Sequence, residues 1–73
     1  MIGMLWFDNS KATLEEKVRF AAEYYEHKYG RKPTLIATHK SIPETVVDDI
    51  TVKPKTGILN NHFLIRHDQF KTE

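Results

Sequence analysis

The sequence predicts a small α/β (α+β) domain: a mixed sheet of about four strands in βαβββ order, with one long helix packed on one face. Three features carry this expectation. Residues 2–7 are apolar at both parities, the stretch from Thr13 to Tyr29 has helical apolar spacing with a signal at each end, and the remaining apolar stretches are short and separated by turn residues.

Taken in order, Ile2, Met4 and Trp6 alternate with Leu5 and Phe7, the pattern of an inner strand covered on both faces. Asp8-Asn9-Ser10 is turn chemistry, and Thr13-Leu14-Glu15-Glu16 matches a capping box that starts a helix at about Leu14. Leu14, Val18, Ala21, Ala22, Tyr25 and Tyr29 form one stripe on that helix, which Gly30 and Pro33 should stop. Residues 34–39 read as a second strand, and the strand, helix, strand succession favours a crossover that leaves both strands parallel. Ser41-Ile42-Pro43-Glu44 reads as a turn or short helical start. A third strand is expected within 46–53, a reversal at Lys53-Pro54-Lys55-Thr56-Gly57, and a fourth strand over 58–66, bent at Asn60-Asn61. The tail, 67–73, is expected to fray.

At 73 residues the chain allows a single small domain, spanning 1–73, with little room for a deep substrate pocket. Its hydrophobic fraction of 40% and charged fraction of 29% are those of an ordinary globular chain. With no cysteine, it has neither disulfides nor thiolate metal sites nor a Cys nucleophile. The N-terminal apolar run lacks a basic flank and ends at Asp8, too short for a membrane span, so a soluble, cytoplasmic protein is expected. Charge is uneven. Residues 1–27 set Lys11, Lys17 and Arg19 against Asp8, Glu15, Glu16, Glu23 and Glu26, a net −2. Residues 28–55 set Lys28, Arg31, Lys32, Lys40, Lys53 and Lys55 against Glu44, Asp48 and Asp49, a net +3.

One helix about 10–12 Å across covers only one face of such a sheet. Phe63 and Ile65 point to one side of the last strand and Leu64 to the other, so the second face also carries apolar residues. A homodimer or a protein partner is expected over it, unless residues 40–49 and the tail fold back as an internal cover.

The candidate sites are few. Phe20 and Tyr24 lie off the apolar stripe, beside Glu16, Glu23 and His27, as candidate partner-binding aromatics. Glu23 and His27 have the one-turn spacing of two metal ligands, yet a surface Glu–His pair explains that spacing better, and no metal set is assigned. Asp8 and His39 end the two strands expected to be parallel, the edge where ligands of α/β sheets bind. His39 as base and Asp8 as its orienting group, with His62 as a third member, are therefore the weak catalytic candidates. Lys28, Arg31, Lys32, Lys53 and Lys55 form the nucleic-acid candidate set, without any recognised binding module.

The leading expectation is a non-catalytic interaction module that works as a homodimer or assembly subunit, with no cofactor. A weak nucleic-acid-binding protein is the second reading, and a small metal- or His-dependent enzyme the third.

Overall fold

The computed structural model describes residues 3–67. The expectation of a frayed tail therefore falls, beyond His67, outside the described residues. The elements are β1 (Gly3–Phe7), α1 (Leu14–Tyr29), β2 (Leu35–Thr38), β3 (Thr45–Val47), β4 (Ile50–Pro54) and β5 (His62–Arg66). The strands form one mixed sheet in the order β1-β5-β2-β4-β3. β5 is antiparallel to both β1 and β2, β2 and β4 are parallel, and β3 returns antiparallel on β4.

The α+β class, the long helix and the mixed sheet follow the sequence expectation, with five strands where four were expected. The extra strand comes from residues 46–53, which are a hairpin and not a single strand. Val47 pairs with Ile50, and Asp48 and Asp49 turn the chain between them with φ of 51° and 67°. Positive φ at both central residues is what a two-residue type I′ hairpin needs. Aspartate tolerates that region, but without glycine the turn does not announce itself in the sequence. Asp49→Gly is expected to relieve the left-handed strain and to stabilise the fold by about 0.5–1 kcal/mol. A rise in the thermal midpoint measured by circular dichroism checks it. Asp48 is unsuitable for this test, because its carboxylate is paired with Arg19 across 2.8 Å.

Two further expectations are corrected. β1 is an edge strand and not an inner one, because β5 pairs with it on one side and nothing among the described residues pairs on the other. β1 and β2 do run in the same direction, but β5 is inserted between them. The segment expected to bend at Asn60-Asn61 is a turn that leads into β5, with Asn61 at φ 63°.

The helix ends as its sequence specifies. The Glu16 amide donates to Thr13 Oγ1 at 3.1 Å and the Thr13 amide to Glu16 Oε1 at 3.0 Å, completing the capping box. At the other end Gly30, at φ 78°, donates its N–H to the Glu26 carbonyl at 2.8 Å. Between these caps Val18, Ala21 and Tyr25 are buried against the sheet.

Strand alternation then sorts the sheet into two faces. Met4, Trp6, Ile36, Val47, Ile50, Val52, Phe63 and Ile65 lie on the helix side, and all but the partly buried Trp6 are buried. Leu5, Phe7, Leu64, Leu35, Ala37 and Val46 lie on the other. The hairpin formed by β3 and β4 extends the sheet sideways, so residues 45–49 do not fold back over that second face.

Candidate functional site

Two surfaces stand out, and both arise because one helix is laid on a sheet wider than itself. Five strands about 4.8 Å apart span roughly 24 Å, about twice the width of α1. On the helix side, this leaves a groove between α1 and the β1 edge. On the opposite side, it leaves the sheet face without a covering element among the described residues.

The groove is a cavity of about 380 Å³ lined by Trp6, Phe20, Glu23, Tyr24 and His27. The helix supplies four of these residues at positions i, i+3, i+4 and i+7, which share one flank. β1 supplies the fifth. The Trp6 and Tyr24 ring centroids are 5.2 Å apart and their planes are tilted by 50°. Phe20 and Tyr24 are each about half exposed, at 53% and 51%. The Trp6 indole Nε1 is buried without a hydrogen-bond partner, so packing alone holds this ring. The sequence pointed to Phe20 and Tyr24, but not to Trp6. It read Trp6 as interior to a strand, and only the edge position of β1 opens its ring to the groove.

The helix-free face is set by register. Leu5, Leu64, Ala37 and Lys53 form one cross-strand row, and Gly3, Arg66, Leu35, Thr51 and Val46 the next. Phe7 and His62 pair at one end with their rings 4.9 Å apart. Leu5 is 62% exposed, Phe7 56% and Val46 64%, whereas Leu64 and Leu35 are partly buried by their neighbours. Leu5, Leu64 and Ala37 make an apolar row from β1 to β2, flanked along β5 by His62 and Arg66 and beyond β2 by Lys53.

The catalytic candidates share an edge of the sheet without meeting. Because β5 separates β1 from β2, Asp8 and His39 stand roughly two strand spacings, or about 9.6 Å, apart. Each is engaged locally. Asp8 Oδ1 accepts from the Ser10 amide at 2.9 Å. His39 Nδ1 accepts from the Ser41 amide at 3.1 Å and contacts the Ser41 hydroxyl at 2.8 Å, so this nitrogen is engaged by Ser41 and not by Asp8. His62 lies between them, with Nδ1 2.9 Å from the Asn60 carbonyl oxygen. Among the described residues no three His, Asp or Glu side chains gather as metal ligands would.

The Ser10 hydroxyl first, and its backbone second, hold the Asp8 carboxyl below the ordinary aspartate range. A lowered folded-state pKa stabilises the fold at pH values above the unfolded-state pKa. That contribution is lost as the pH falls through the folded-state value. Ser10→Ala is therefore expected to raise the Asp8 midpoint in a carboxyl-detected NMR titration, whereas His39→Ala leaves it unchanged. A shift on removal of His39 would show that the two do interact.

The basic candidates are divided. Lys28, Arg31 and Lys32 sit where α1 leads into the start of β2, whereas Lys53 and Lys55 sit beside its far end. Lys28 Nζ lies 5.5 Å from the Tyr29 ring centroid, and Arg31 Nη1 lies 3.3 Å from His67 Nδ1. Lys55 instead borders a shallow hollow with His39 and Lys40.

No protein-family model matches the chain, and neither a curated protein nor a solved structure does. Among the described residues no helix is long and apolar enough to cross a membrane.

Proposed function

We propose that this protein is a non-catalytic interaction module whose working surface is the helix-free face of its sheet, and that the occupant of this face is a second copy of the chain. The exposure of Leu5 and Phe7 beside the partly exposed Leu64 and Leu35, with Ala37 buried among them, supports the reading, because apolar surface left in water costs free energy and is characteristically a contact site.

The size of the face sets the strength expected. The whole five-strand sheet, with strands of three to five residues, spans at most roughly 24 by 17 Å, an upper bound of about 400 Å² per copy. Two copies together bury about 800 Å², below the roughly 1,200 Å² at which stable interfaces begin. The edge of β1, unpaired among the described residues, adds backbone groups that a second copy can also engage. Association is therefore expected to be reversible and concentration-dependent, and not obligate.

The distribution of charge favours this reading over nucleic-acid binding, since Lys28, Arg31 and Lys32 lie at one end of β2 and Lys53 and Lys55 at the other, without forming a continuous track. Light scattering on a sizing column across a wide concentration range tests the proposal. An apparent mass rising from monomer toward dimer is expected. A constant monomer mass at the highest concentration, with an apolar dye bound to the face, would assign the surface to a different protein.

A further inference from the structure

We propose that the groove between α1 and the β1 edge binds a quaternary ammonium group, presented as the side chain of a trimethylated lysine in a peptide partner. The site lies on the opposite side of the sheet from the apolar face, so both surfaces can be occupied together.

Three of the five lining residues are aromatic: Trp6 and Tyr24 pack against each other, with ring centroids 5.2 Å apart and planes tilted by 50°, and with Phe20 they give the groove an aromatic lining. Aromatic faces carry negative potential and attract a cation brought within about 6 Å. Among the described residues the lining contains one carboxylate, Glu23, one imidazole, His27, and neither lysine nor arginine. The helix carries Glu15, Glu16, Glu23 and Glu26 against Lys17, Arg19 and Lys28, and residues 1–27 are net negative, a balance that leans toward a cation over an anion.

The apolar lining selects among cations. A primary ammonium brings three N–H donors and a guanidinium five, each needing an acceptor once water is displaced. A trimethylammonium brings none. It keeps its charge for the rings and Glu23 while its methyl groups pack against apolar walls. From Phe20 to His27 the helix flank runs about 10 Å, enough for the four-carbon lysine stem to lie along it.

Trp6 is the sole tryptophan, so its fluorescence reports the groove directly. The full chain would be titrated with a short peptide carrying one trimethyllysine. Parallel titrations would use the same peptide with unmodified lysine, and one in which a tert-butyl carbon replaces the ammonium nitrogen. Saturable binding of the first is expected, with both others about five- to tenfold weaker. Phe20→Ala and Glu23→Gln should each weaken it several-fold. Phe20 is half exposed, so its removal should leave the fold intact, and far-UV circular dichroism verifies this.

Equal affinity for the tert-butyl peptide would reduce the site to an apolar groove and overturn the proposal. So would equal affinity for unmodified lysine, or the absence of saturable change in both Trp6 fluorescence and the indole N–H resonance. Choline binding as tightly as the peptide would overturn the peptide source.

Discussion

Leu64→Lys is expected to leave the monomer folded while moving the midpoint of self-association to about a hundredfold higher concentration. Leu64 lies in the middle of the helix-free face, between Leu5 on β1 and Ala37 on β2. In the monomer its neighbours bury it only in part, so a lysine there can lay its stem along the sheet and keep its ammonium in water. Between two sheet faces the same ammonium has no such route. An uncompensated charge buried at a contact costs about 3 kcal/mol, near a hundredfold in the equilibrium constant. Sedimentation equilibrium of the variant against the parent chain measures the shift. Leu5→Lys, one strand away in the same row, should act in the same direction. If both variants associate like the parent, contact is made elsewhere and the face is not the interface.

The adjacent residue gives the opposite result. Phe63→Ala should unfold the protein, or nearly so, at room temperature. Phe63 is 2% exposed, lies in β5 with strands on both sides, and points to the helix side, where its cross-strand partner is Trp6. Removing a buried phenylalanine costs about 3–5 kcal/mol from lost burial and the cavity left behind. The net stability of a single core of this size is about 3–5 kcal/mol, so the loss consumes most of it. Urea titration followed by circular dichroism checks this, with a missing or strongly shifted transition as the expected outcome. Residues 63 and 64 are neighbours in sequence and differ in effect because strand alternation sends one into the core and the other to the bare face. A destabilisation under 1 kcal/mol for Phe63→Ala would mean that the core is not organised around β5.

Much of this architecture was legible in the residues. The capping box at Thr13 and Glu16, the stripe of Val18, Ala21 and Tyr25 and the stop at Gly30 are all local signals, and local signals depend on backbone chemistry within a few residues. That one helix leaves one sheet face without a helix follows from the number of elements and their widths alone. The hairpin at Asp48-Asp49 was missed because positive φ at two aspartates leaves no glycine to mark it.

The candidate sites were harder to read, since they depend on which strands become neighbours. Asp8 and His39 end strands that run in the same direction, which made a shared site plausible, but β5 arrives last in the chain and inserts between them. The same insertion puts β1 at the edge, where Trp6 joins Phe20 and Tyr24 from the helix. The distribution of the basic residues likewise follows from β4 running parallel to β2, which carries Lys53 and Lys55 away from Lys28, Arg31 and Lys32.

By itself, then, the sequence determined the class, the helix with both its ends, and the expectation of an uncovered apolar face. Periodicity, capping and surface area are properties of short segments or of the whole composition. Tertiary structure alone decided the strand order, and with it the aromatic groove, the separation of Asp8 from His39 and the division of the basic residues. Strand order is set by the sum of many weak side-chain contacts between segments far apart in the chain, and no single residue encodes that sum.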